Sequence, residues 1–202
     1  MKRSNVAGSL CLDFVNTVDP RHAPQREERL PDYDAVLEWA REAGIEASPL
    51  EAAAASRVHE EAIALRETLY TIFGAVARGE APPAEALRHL NDELARRPRQ
   101  ISNGFAWEPA SGDDVLAPIV WSAAELLTKG PLERVRECPG DDTCGWLFLD
   151  TSRNGSRRWC DMRTCGNRAK ARRYYRRSGG ASRSSQSVDR SFQTGVRETR
   201  TP

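Results

Sequence analysis

Histidine is scarce in this chain of 202 residues: His22, His59 and His89 are the full set. They are scattered, so an acid–base site has few candidates. A glycine-rich phosphate loop, a His-Glu-x-x-His pair and a Gly-x-Ser-x-Gly elbow are all missing, which argues against an enzyme. No apolar run approaches the roughly 18 residues of a membrane-spanning helix. The start, Met1-Lys2-Arg3, is basic, but Asp13 interrupts the short apolar stretch behind it and no small-residue cleavage site follows. The expectation is a chain kept in the reducing cytoplasm. No internal repeat is evident.

Charge, by contrast, is abundant, and a formal net of +1 hides how unevenly it is spread. Residues 1–130 carry 14 Lys+Arg against 21 Asp+Glu, a net of −7, and residues 131–202 carry 16 against 8, a net of +8. Between 151 and 177 there are ten basic residues and one acid, Asp161, and only Lys170 of the ten is lysine. Arginine suits phosphate forks, guanine edges and stacking on bases. An acidic half joined to a basic half suggests that one part meets nucleic acid and the other does something else.

Hydrophobic spacing predicts an α+β protein whose first part is mainly helical. Leu10-Cys11-Leu12-Asp13-Phe14-Val15 alternates like a strand, ended by Asn16-Thr17 and Pro20, and 20–32 reads as a polar loop with three prolines. Asp32 is placed to cap a short helix through Leu37, Trp39 and Ala40 that stops near Gly44. The strongest helix runs from Pro49 to Arg78, where Val58, Ala62, Leu65, Leu69, Ile72 and Val76 form one apolar stripe. Pro82-Pro83 ends it. Further elements are a helix Ala84–Arg96, a strand Phe105–Glu108, and a helix Val115–Thr128 capped by Asp113 or Asp114. Gly130-Pro131 marks a boundary, giving domains 1–130 and 131–177, followed by a Ser/Arg-rich tail, 178–202, too poor in apolar groups to order itself.

Four of the five cysteines lie in the basic part: Cys138-x5-Cys144, fifteen intervening residues, then Cys160-x4-Cys165. Two close thiol pairs suit one tetrahedral Zn²⁺. Disulfides would suit an exported protein, and an iron–sulfur cluster would also accept four thiolates; the short module fits zinc better. Such a closed set leaves no open position for water, so the ion is structural. Pro139-Gly140-Asp141-Asp142 and Gly145 supply turn chemistry. Trp146–Leu149 reads as a strand, Asn154-Gly155 as a hairpin turn, Arg157-Arg158-Trp159 as the returning strand, and Cys165-Gly166-Asn167 opens a helix to about Arg177. Knuckle, hairpin, helix is the order of a treble clef. Cys11 reads as a buried core thiol.

The metal would hold outward a surface made of Arg153, Arg157 and Arg158 on the hairpin, then Arg163, Arg168, Lys170, Arg172, Arg173, Arg176 and Arg177. An arginine run is often only a solvated face. Ten cations against one acid repel one another unless an anion lies nearby. Of Tyr174 and Tyr175, at least one is expected to pack on Trp159 or Phe148.

The run Trp146-Leu147-Phe148-Leu149-Asp150-x-Ser152-Arg153-Asn154-x2-Arg157-Arg158-Trp159-Cys160-x-Met162-x2-Cys165-Gly166-Asn167-Arg168 resembles the CGNR zinc finger. Leu10–Thr17 and Leu65-Arg66-Glu67-x-Leu69-Tyr70 resemble the ABATE domain that accompanies it. The resemblance implies a bacterial, stress-related transcription regulator with a DNA-binding finger; RNA or ribosome association is the rival partner. In the acidic part, Asp13, Asn16 and Arg66 are polar groups beside apolar sequence. Either they line a pocket for a small-molecule effector, or Asp13 pairs with Arg66 and Asn16 caps a turn.

Overall fold

The computed structural model describes residues 6–104, 106–110, 114–140 and 143–181, with 178–181 described by backbone alone. In chain order the elements are α1 (Leu10–Val15), β1 (Val18–Asp19), β2 (Glu27–Glu28), α2 (Tyr33–Glu42), α3 (Ala52–Ala77), α4 (Ala84–Arg96), β3 (Arg99–Ile101), β4 (Trp107–Pro109), α5 (Ala117–Lys129), β5 (Val135–Glu137), β6 (Leu147–Leu149) and α6 (Asn167–Ala181). The strands form three antiparallel pairs, β1–β2, β3–β4 and β5–β6. The protein is α+β, mainly helical, with short strands.

The long helix α3 is the spine. Ala62, Leu65, Leu69 and Ile72 are fully buried on it, as the stripe predicts, while Val58 and Val76 at its ends are only partly covered. It packs against α1, α2 and α4 and against β5 and β6. Burying each of the leucine and isoleucine side chains contributes about 1.5–3 kcal/mol, and the Ala62 methyl less. The Asp32 carboxylate caps α2 by accepting from Ala35 N at 2.9 Å, and Asp114 Oδ1 accepts from Leu116 N ahead of α5. Asp113 lies outside the described residues, as does Phe105 of the expected strand, of which β4 holds Trp107 and Glu108.

Leu10–Val15 is a helix, not the strand that its alternation predicts. The physical reason is burial all round. Cys11, Leu12, Asp13, Phe14 and Val15 are all buried between α3, α5 and β6, and an element with no solvated face has no period to read. Gly8, at φ +81°, turns the chain into it. Asp13 Oδ1 accepts from Ala7 N at 2.9 Å, and Cys11 N donates to Ser122 Oγ at 3.1 Å. Cys11 is a core thiol, its pKa pushed up to about 11 by burial.

One hydrophobic cluster runs from α1 and α3 into Val135, Trp146, Leu147, Phe148 and the four C-terminal cysteines. The segment around α1 also fastens the C-terminal part by hydrogen bonds. Leu149 N donates to Ala7 O at 2.7 Å, and Leu147 exchanges two bonds with the Asn16 side chain. Trp146 Nε1 donates to Val18 O at 3.0 Å. The helix α6 extends to Ala181, four residues beyond Arg177; the tail from 182 onward lies outside the described residues.

Candidate metal centre and basic helix

Strand β5 delivers Cys138 and β6 begins just after Cys144, so the first thiol pair sits in the turn joining these two strands. Backbone bonds close that turn: Cys144 N to Gly140 O at 2.8 Å, Cys138 N to Trp146 O at 2.8 Å and Gly145 N to Cys138 O at 3.2 Å. Gly140 has no room for a side chain, since a Cβ there would lie 2.7 Å from Cys165 Sγ and 3.0 Å from Cys144 Cβ. Gly145 has φ +63° and lies against the His22 ring. On the outer side of this turn, Arg21 N donates to Cys144 O and His22 N to Thr143 O, each at 2.8 Å.

The second pair comes from the entry to α6. The Asp161 carboxylate accepts from Arg163 N at 2.8 Å, and one π-helical turn, Met162–Gly166, places Cys165 immediately before α6. All four sulfurs are buried and lie within 4.8 Å of one another. Cys160 Sγ is 3.7 Å from both Cys144 Sγ and Cys165 Sγ. Four thiolates at about 2.3 Å from a tetrahedral zinc stand about 3.8 Å apart, whereas a disulfide needs about 2.0 Å. The cysteines are all free thiols. Hydrogen bonds from Cys144 first, then Cys160 and Cys165, hold the Cys138 thiol far below its ordinary value, and Cys138 in turn pushes Cys160 up. A buried cluster of this kind cannot shed all its protons unless a cation replaces them. The chemistry and spacing fit one zinc ion held by Cys138, Cys144, Cys160 and Cys165.

Between the thiol pairs, the expected hairpin is not formed. Leu147–Leu149 pairs with Val135–Glu137, and 156–158 is not a strand. The Asn154-Gly155 turn exists, with Gly155 at φ +61°, but a buried carboxylate, Asp150, organises the loop on both sides of it. Asp150 accepts from Ser152 N at 2.9 Å, Ser152 Oγ at 2.5 Å and Arg157 N at 3.0 Å. Those bonds, that of Ser152 foremost, hold its pKa below the usual carboxylate value. Once Asp150 has taken the Arg157 amide, that amide cannot join a ladder with β6. The Asp150-x-Ser152 pair is a side-chain turn signature that could have revealed this.

Composition places Arg157 on the binding surface, but its guanidinium turns inward. It donates to Val6 O at 2.7 Å, to Trp159 O at 3.0 Å and to Cys160 O, and it lies 4.5 Å from the centre of the Phe148 ring. Arg158 lies 5.7 Å from the Trp159 ring centre and is exposed, as is Arg153 at the loop tip. Arg163, Arg168, Lys170, Arg172, Arg173, Arg176 and Arg177 are all exposed. Tyr174 and Tyr175 depart from expectation: both stand out in solvent, 70% and 72% exposed, with ring centres 6.0 Å apart. Arg157 already covers Phe148, and Arg158 and Gly166 flank Trp159, so neither tyrosine is needed there.

Asp13, Asn16 and Arg66 are each engaged by the protein itself. Asp13 holds Ala7, Asn16 holds Leu147, and Arg66 forks Glu28 at 2.6 and 2.7 Å while also reaching Glu67 at 2.9 Å. The Arg66 guanidinium also touches Thr17 Oγ1 at 3.3 Å, so it anchors β1–β2 to α3.

A helical body carrying a four-thiolate zinc site at the root of an arginine-rich helix defines a zinc-finger protein. Residues 8–130 match the ABATE family, described as "Putative stress-induced transcription regulator", and residues 134–178 match the CGNR zinc finger. The first match alone spans more than half of the chain, and the protein belongs to the ABATE family with a CGNR zinc finger. No curated protein matches it. No described helix is long and apolar enough to cross a membrane.

Proposed function

We propose that this protein is a zinc-dependent DNA-binding regulator of transcription, acting in the cytoplasm, in which α6 and the 152–158 loop meet the DNA backbone. The N-terminal part, 1–130, serves as its sensor or interaction domain, and the zinc ion is structural rather than catalytic. One observation carries this reading: from Met162 to Arg177 the chain holds seven cations and no carboxylate, and every one of those cations is exposed on a segment rooted in the metal cluster. Mutual repulsion of that density is relieved by a polyanion. Arg153 and Arg158 extend the same surface, while Arg157 supports it from within.

The test is fluorescence anisotropy of full-length protein with duplex DNA over a salt series. With about six phosphates neutralised, log Kobs should fall with log salt at a slope near −5. Chelation of zinc should abolish binding, because Cys160 and Cys165 root the helix. A salt-independent affinity, or none, would overturn the reading; stronger competition by structured RNA would reassign the partner.

A further inference from the structure

Beside the zinc cluster lies an open cleft of about 540 Å³, lined by Val6, Arg158, Trp159, Cys160, Asp161 and Met162 among others. We propose that this cleft receives a single unstacked nucleobase, so that the protein prefers nucleic acid with an unpaired or flipped base over continuous duplex. The proposal rests on the nucleic-acid reading above and adds a base-recognition site to it.

The volume lies within the range of small-ligand sites, about 300–1,000 Å³. Its aromatic wall is fixed: Trp159 packs against the core, and its Cδ1 edge abuts Gly166. The Arg158 guanidinium beside that ring adds a second plane on which a base can stack. Met162 forms an apolar flank that is 60% exposed, next to a helix rich in exposed cations. Val6, also in the lining, is held in place because Arg157 grips its carbonyl.

Charge selects the occupant. Exposed Arg158 lines the cleft, and Arg153 and Arg163 are exposed close to its lining residues in the chain, which suits the phosphates on either side of an extruded nucleotide. Inside it stands Asp161, the one acid between 151 and 177. A carboxylate there repels a phosphate and accepts from an amino or imino edge of a base. Asp161 already caps Arg163 N and accepts from Thr164 Oγ1, and a base inside would use its remaining lone pairs while the backbone stays outside.

The experiment compares full-length, zinc-loaded protein on three labelled duplexes: continuous, with one bulged adenine, and with an abasic bulge at the same position. The bulged adenine should bind about tenfold tighter than the other two. Trp159→Ala should erase that preference while keeping affinity for continuous duplex. Because Trp159 also packs inward, Met162→Asp is the second variant; its side chain is exposed, and it should erase the preference with zinc content unchanged. Equal binding of the adenine and abasic bulges, or a preference that survives Met162→Asp, would overturn the proposal and leave DNA binding standing. Failure to bind any of the three would remove the proposed function itself.

Discussion

Replacing Asn16 by alanine should cost more stability than its size suggests, because this side chain completes a strand edge. Cys138 N to Trp146 O and Asp150 N to Arg134 O put the even-numbered residues of the second strand on the β5 side. Leu147 and Leu149 therefore point their backbone groups away from β5. Asn16 meets both groups of Leu147, accepting from N at 2.9 Å and donating to O at 2.8 Å, in a fully buried position. Truncation orphans a buried N–H and a buried C=O, each worth about 1–3 kcal/mol. Allowing for partial relaxation, the loss should be about 2–4 kcal/mol, a large share of the roughly 5–15 kcal/mol of an ordinary domain. Urea unfolding followed by circular dichroism, with zinc in fixed excess, reads that loss directly. Asn16→Asp should not rescue it, since a carboxylate accepts from Leu147 N but cannot donate to Leu147 O. A change below about 0.5 kcal/mol, the ordinary effect of a surface substitution, would refute the docking argument and return Asn16 to the pocket reading.

Gly140→Ala should lower zinc affinity at least tenfold in a chelator competition, because its Cβ would sit 2.7 Å from Cys165 Sγ in a cluster with no slack; unchanged affinity would mean that the thiols are not gathered around one ion. The exposed and buried arginines should separate cleanly. Arg168→Gln with Arg172→Gln should weaken DNA binding about uniformly across sequences and reduce the salt slope by about 2, with thermal stability unchanged. Arg157→Gln should instead lower the melting temperature, since it removes bonds to Val6, Trp159 and Cys160; an effect on DNA affinity alone would place Arg157 back on the binding surface.

How far the sequence revealed this molecule depends on whether a residue's neighbours lie near it in the chain. Local signals are legible: the α3 stripe, the Asp32 cap and the four thiols all follow from spacing within one segment. Where a segment is buried all round, as at Leu10–Val15, patterning carries no direction and alternation misleads. Where a side chain serves a distant partner, composition misassigns it. Arg157 belongs by composition to the basic surface, yet it bonds Val6, 151 residues away. The same holds for Asn16, whose partner Leu147 is 131 residues away. Density of charge marks out a basic surface, and not which arginine has turned inward.

Those long-range bonds also bear on how the acidic and basic parts communicate. One way for an acidic part to regulate a basic helix is to cover it, but α6 is exposed from Asn167 to Arg177 apart from half-buried Ala169. The contact runs elsewhere: Ala7, Asn16, Val18, Arg21 and His22 bond the strand edge and turn that carry Trp146, Leu147 and Cys144. Zinc gathers one side of that turn and the N-terminal segment gathers the other. Each then stabilises a geometry that the other needs, so zinc affinity and the ordering of residues 6–22 are linked, and by the same amount in both directions. The finger cut away at 131 would lose the partners of Leu147 and Leu149. For that reason the binding experiments call for the full-length chain, and Asn16→Ala should weaken zinc binding although Asn16 touches no ligand of the metal.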